Sequence, residues 1–302
     1  MEAVQVIDFM EAATMAGHSW WGAGQWAAFL EYKEQPIKAA SKGALAALEA
    51  GAEDALSAHA YSALLLEDPL LALRLLKEAN KRLPRRLARD ITTPLGVVLA
   101  LGTQQFKEQI RAAPEVGEDN AGFMACEART SMAARIALAW GALRHDLDPG
   151  ELAMAALLAN AGEIELWAFV PELPQKALDE LHSGRAARSE QAQRQACGFA
   201  FLDITLLLIE NWTLPQLIKH LIRGDESPRA RMARLAVNAA RHLANGVDDA
   251  ALPDDVREAA KLTGANLDVV VGVLPGLSAE GKAELLNATL RTLPDADSHP
   301  AN

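Results

Sequence analysis

The sequence predicts an all-α protein, and three observations carry the prediction. Only 5% of the 302 residues are aromatic while Ala and Leu abound, and both residues lose little side-chain freedom in a helix. Apolar residues recur at helical spacing along nearly the whole chain. Several helix starts are written as a capping side chain followed by a proline, which cannot donate a hydrogen bond but already has helical φ. The one strand-like run, Leu267 to Leu274, stands alone between helical patterns. A single strand cannot make a sheet, so a buried helix is expected there.

Taken in order, the first 35 residues have their own texture. From Ala12 to Leu30 there is no charge, but Gly17, His18, Ser19, Gly22, Gly24 and Gln25 interrupt the run too often for a membrane span. With Trp20, Trp21, Trp26 and Phe29 in it, the stretch is expected to cover an apolar surface of its own chain. Asp68-Pro69 then opens a helix through Leu70, Leu73, Leu76 and Lys77, with a cap worth about 1 kcal/mol. Asp148-Pro149-Gly150-Glu151 reads as a capping box ahead of Leu152, Ala155 and Ala159. Thr213-Leu214-Pro215-Gln216 repeats that logic ahead of Leu217, Leu221 and Ile222. Turn residues place loops at 114–120, 183–190, 224–228 and 246–255, with a polar tail after Pro294. The expected organisation is an extension over 1–35, a helical domain over 36–250, and C-terminal helices with a polar tail over 251–302.

Charge narrows the function classes. A formal net charge of -11 argues against phosphate-backbone binding, so no nucleic acid is expected. The local patch of Lys77, Lys81, Arg82, Arg85, Arg86 and Arg89 reads as a solvated helix end and loop. Cys126 and Cys197 are far apart with no CxxC spacing and read as reduced core thiols of a cytoplasmic protein. The start has no basic flank before an apolar run, so no secretory signal is expected.

Residues Pro36 to Ile110 resemble the HDOD family, the bacterial HD-related output domain. The resemblance is carried by Leu64-Leu65-Leu66-Glu67-Asp68-Pro69-Leu70-Leu71, by Ala79-Asn80 at that helix's end, by Ile91-Thr92-Thr93-Pro94, and by Leu99-Ala100-Leu101-Gly102. It extends through Ser131, Leu157 to Gly162, Trp212-Thr213-Leu214-Pro215 and Leu235 to Leu243, about residues 36 to 245 in all. It implies an HD-domain-like multi-helix bundle, with a C-terminal helical cap from about Leu252. Asp68, Pro69, Asn80, Gly102, Trp212 and Pro215 are then structural signature positions.

Related hydrolases hold metal with a His on an early helix, an adjacent His-Asp pair and a later Asp. By this resemblance those positions are Thr130, Ala159 with Asn160, and Asn238. Thr and Asn are not usual transition-metal ligands and Ala has no donor, so no metal or cofactor is expected. Further family histidines would fall near Phe201 and Arg223-Gly224, where none is present. His145-Asp146 is a literal His-Asp pair, but it precedes the Asp148 cap and so lies in a loop. The remaining histidines show no HxxxH or HxH spacing and read as surface or hydrogen-bonded core residues. No nucleophile elbow, phosphate loop or dinucleotide fingerprint is present. Glu163 with Glu165, and Asp248 with Asp249, point in different directions and are expected to be solvated. Trp140, Trp167 and Trp212 read as packing residues.

By analogy the resemblance implies a non-catalytic bacterial signal transduction or regulatory protein. It would act through protein partners, or through a small ligand in the degenerate cleft, where Asn160, Glu163 and Asn238 offer hydrogen bonds. The alternative is a divergent metal-dependent phosphohydrolase with another ligand set.

Overall fold

The computed structural model describes residues 21–51, 57–82, 90–117 and 119–291. Trp20, His18, His299, Arg85, Arg86, Arg89, the side chain of Arg82 and the tail after Pro294 lie outside them. Among the described residues there are 17 helices and no strand. In chain order they are α1 (Ala23–Glu31), α2 (Ala39–Glu49), α3 (Ala58–Leu66), α4 (Pro69–Arg82), α5 (Pro94–Leu101), α6 (Thr103–Ala112), α7 (Ala121–Gly141), α8 (Pro149–Leu158) and α9 (Ala161–Phe169). They continue as α10 (Glu172–His182), α11 (Ser189–Cys197), α12 (Phe201–Asn211), α13 (Gln216–Arg223), α14 (Pro228–Asn245), α15 (Leu252–Thr263), α16 (Leu267–Gly272) and α17 (Ala279–Arg291). No single helix among them is long and apolar enough to cross a membrane.

Two hydrophobic cores share α7 and α8. Leu152 to Leu158 are all buried, because α8 is apolar all round and so must be enclosed on every face. Its Ala153, Met154, Leu157 and Leu158 face a core built with α1 to α6, α9 and α12. Leu152, Ala155 and Ala156 face the other core, shared with α14 to α17. Trp140 on α7 is fully buried in that second core and donates its indole N–H to Val270 O at 3.1 Å. The strand-like run is indeed helical, as α16, but only half enclosed: Val270 and Val271 are buried while Val269 and Val273 are exposed.

The described part of the N-terminal segment, from Trp21 onward, docks on its own chain. Trp26 and Leu30 are buried in the first core, Trp21, Trp26 and Phe29 stack edge to face, and α1 packs on α12. Trp212 fastens the pair, donating to Glu31 O at 3.2 Å. An isolated parallel bridge between Ile37 and Glu115 then ties the entry of α2 to the exit of α6.

The helix starts divide into one strengthened reading and two corrected ones. Asp68 caps α4 as expected, accepting from Leu70 N and Leu71 N at 3.0 Å, but its second oxygen also binds Lys38 N and Ser41 Oγ. Asp148 caps α8, yet Glu151 does not close a box with it. The Glu151 carboxylate turns away to accept from Thr92 Oγ1 at 3.1 Å, which joins α8 to the entry of α5. Thr213 caps nothing: it sits at φ 54 in the turn after α12, and α13 starts later, at Gln216, without a side-chain cap. Asn80 does span a joint, donating to Leu76 O and accepting from Ile91 N. Gly102, at φ 76, makes the α5–α6 turn that side chains disfavour.

Candidate functional site

A cavity of about 660 Å³ lies where α8 ends and α9 begins. Its floor is the α8–α9 joint with the start of α12, one wall is the α10–α11 hairpin, and the other is α13 with α14. The floor is fixed by a close approach. A side chain on Gly162 would meet Phe201 O at 2.5 Å and Thr205 N at 2.8 Å, so α9 touches α12 at backbone distance. Thr205 stitches the joint, accepting from Gly162 N at 2.9 Å and donating to Ala159 O at 3.3 Å.

Of the four positions that the resemblance assigns to metal ligands, Ala159 and Asn160 line the cavity. Thr130 is buried beneath them: its hydroxyl donates to Cys126 O at 2.7 Å and accepts from Asn160 Nδ2 at 3.4 Å. Asn238 is not part of the lining. It accepts from Arg241 at 3.3 Å, and the α14 face toward the cavity is carried by Arg234, Val237 and Arg241. Metal does not fit this donor set, which offers one methyl group, one hydroxyl committed to the backbone and two carboxamides. No group of three or more His, Cys, Asp and Glu residues among the described residues could hold an ion. His145 and Asp146 are exposed between α7 and α8, with Asp146 paired to Arg144.

Two ionisable clusters behave differently from the solvated carboxylates expected. Glu163 lines the cavity and pairs with Arg129 at 2.9 Å. Burial works against the Arg129 charge, but Glu163 holds it above its ordinary value. Burial, and then Glu163, push the Cys126 thiol well up. Glu165, on the other face of α9, is fully buried with neither carboxylate oxygen hydrogen-bonded. Burial pushes it up to about 8, against the pull of Lys77. Lys77 is itself half-buried, not a solvated member of a basic patch, and its ammonium lies 4.5 Å over the Trp212 ring.

Sequence reasoning missed the cavity's walls. His182 at the end of α10 and Arg223, Arg234 and Arg241 on α13 and α14 face the same space. No motif joins them, since they come from three helices and meet only through the fold.

The HDOD domain model matches residues 41–228, well over half of the chain, and the protein belongs to that family. No curated protein matches it. Among solved structures it is similar to the MmoQ response regulator of Methylococcus capsulatus, at 20% identity and a TM-score of 0.60 over 85% of this chain and 99% of that one. It is also similar to a virulence factor of Campylobacter jejuni, at 18% identity and a TM-score of 0.64 over 85% of this chain and 99% of that one. At these identities the likeness is one of fold.

Proposed function

We propose that this HDOD protein is a non-catalytic regulatory component of bacterial signal transduction, acting in the cytoplasm through protein partners and through occupancy of the α8–α9 cavity. One observation carries the reading: the cavity keeps its shape on a tightly fitted floor while Thr130, Ala159 and Asn160 offer no metal-binding chemistry. Hydrolysis on the HD pattern needs an ion that lowers the pKa of a bound water, and these side chains cannot retain one. The response-regulator name of the Methylococcus capsulatus relative supports a signalling role. A structure in which α9, α12 and α14 meet at one cavity also gives a bound molecule several helices to bias at once.

Metal analysis of the protein purified without chelator, alongside phosphodiesterase assays with added Mn, Fe or Zn, tests the reading. Substoichiometric metal and no turnover are expected. Stoichiometric metal with turnover that a chelator abolishes would establish the alternative, a divergent phosphohydrolase.

A further inference from the structure

The charge on the cavity wall narrows what can enter it. Arg223 ends α13, and Arg234 and Arg241 lie seven residues apart on α14, a spacing that returns to one helix face after two turns. All three line the cavity, all three are exposed, and none makes an ion pair among the described residues. Arg241 holds only the Asn238 amide oxygen, and its charge reaches Asp249 and Asp255 from a distance. Asp225, beside Arg223, is turned to the Ser227 backbone N–H at 2.8 Å. The two carboxylates on the cavity are already taken, Glu163 by Arg129 and Glu190 by Arg194.

Gly224 has φ +78, and a side chain there would come within 2.6 Å of Arg234 Nη1. Arg234 thus lies over the α13–α14 turn beside Arg223, while the glycine itself answers the positive φ that ends α13. Grouping like charges costs free energy unless an anion answers them, and the chain as a whole is strongly acidic. Buried Trp167 and Phe201, with the exposed Leu202, line the same cavity and give it apolar surface.

We infer that the cavity binds a small organic anion of at least two negative charges on a planar or apolar body, of the phosphate monoester class. Arg223, Arg234 and Arg241 take the charge, and Trp167, Phe201 and Leu202 take the body. The volume suits such a molecule, since pockets for small ligands run from about 300 to 1,000 Å³. The inference rests on the regulatory reading in placing the ligand in that same cavity.

Calorimetric titration of the full chain with adenosine monophosphate, and with adenosine as the uncharged control, tests it. Micromolar to millimolar binding of the monophosphate is expected, with adenosine at least tenfold weaker. Arg234→Gln and Arg241→Gln should each weaken the monophosphate about tenfold, the loss of roughly one charge-assisted contact. Both arginines are exposed and unpaired, so unchanged melting curves will show that the variants fold. No binding of the monophosphate, equal binding of adenosine, or affinity indifferent to both substitutions would overturn the inference. Chromatography of the recovered nucleotide separates this outcome from the proposed function. Arginine-dependent binding with the nucleotide consumed would uphold the anion site and overturn the non-catalytic reading, whereas an intact nucleotide that never bound would overturn only the anion site.

Discussion

The Ser41 hydroxyl donates to Asp68 Oδ2 at 2.7 Å, inside the protein, so the residue that caps α4 also grips the first turn of α2. Lys38 adds its backbone N–H to the same oxygen and its ammonium to Glu127 on α7, at 2.7 Å. Two helices are thereby fixed around one carboxylate with no exposed surface, and Lys38 ties the pair to α7 through Glu127. A simple N-cap contributes about 1 kcal/mol. Asp68→Ala orphans four donors in the interior, and should cost about 3 kcal/mol or more in denaturant unfolding. Ser41→Ala, which removes one of the four, should cost about 1 kcal/mol. A loss no larger for Asp68→Ala than for Ser41→Ala would show that the carboxylate is only a cap.

The docking of α1 makes a separate prediction. Leu30 is fully buried and Trp26 nearly so, in the core that α12 completes. Leu30→Ala should lower stability by about 2–5 kcal/mol, the range for emptying a buried leucine site. Deleting residues 1–35 should expose the α12 face and lower the melting temperature or cause aggregation on gel filtration. A truncated protein as stable and monomeric as the whole would make the segment a partner-binding arm.

Gly162 tests the floor of the cavity. The atoms that a side chain would strike belong to the backbone of α12, which cannot swing aside as a flexible side chain can. Gly162→Ala should therefore destabilise by about 2 kcal/mol or more, although alanine is the better helix former. A stabilised variant would mean that α9 and α12 stand further apart than the structure shows.

Much of the fold was legible because helix periodicity and caps are local. Asp68 and Asp148 each announce a helix through side-chain oxygens that must satisfy nearby N–H groups, and each does so here. What failed was anything decided across the fold. Glu151 has the spacing of a capping box but finds Thr92 instead, and Thr213 has the composition of a cap but lies in a turn at positive φ. For the site, Ala159 and Asn160 could be placed from the resemblance, since they end a recognisable helix. Asn238 could not be placed on the lining, because on α14 a shift of one residue turns a side chain by about 100°. The seven-residue spacing of Arg234 and Arg241 is visible in sequence, but that they share a cavity with Arg223 is decided by the fold.

Glu165 was unreadable for the same reason, and it predicts a pH dependence. Its folded pKa, about 8, is raised from the ordinary 4.5 by burial, so between those values the unfolded chain holds fewer protons than the folded one. Its contribution to stability is thus full below about pH 4.5, falls as pH rises, and is lost once pH passes about 8. Glu165→Gln cannot ionise and should be the more stable protein above pH 8, by on the order of a few kcal/mol, with the gap closing toward pH 4. Lys77 is present in both proteins, so the difference between their stability profiles isolates Glu165. Parallel profiles from pH 4 to pH 9 would show the carboxylate to be hydrated.

The last prediction concerns the degenerate pair itself. Ala159→His with Asn160→Asp restores two residues on the cavity floor, and on sequence grounds alone it is expected to fail, because two ligands of the set would remain missing. The surroundings of the other two positions give the same expectation. Thr130 is buried with its hydroxyl bound to Cys126 O, and Asn238 is turned to Arg241 outside the lining. The two new ligands would be left without the rest of the set, since the Thr130 and Asn238 positions stay empty of ligands and Glu163, the carboxylate nearest in sequence, is held by Arg129, and a hydrolytic ion needs several firm ligands besides its water. The double variant is expected to bind no stoichiometric Mn, Fe or Zn after dialysis and to show no phosphodiesterase turnover. Its new aspartate would instead lie in a cavity with Arg129 and the three arginines of α13 and α14, so weaker binding of adenosine monophosphate is the change to measure. Metal retention with chelator-sensitive turnover would show that the scaffold supplies ligands from elsewhere.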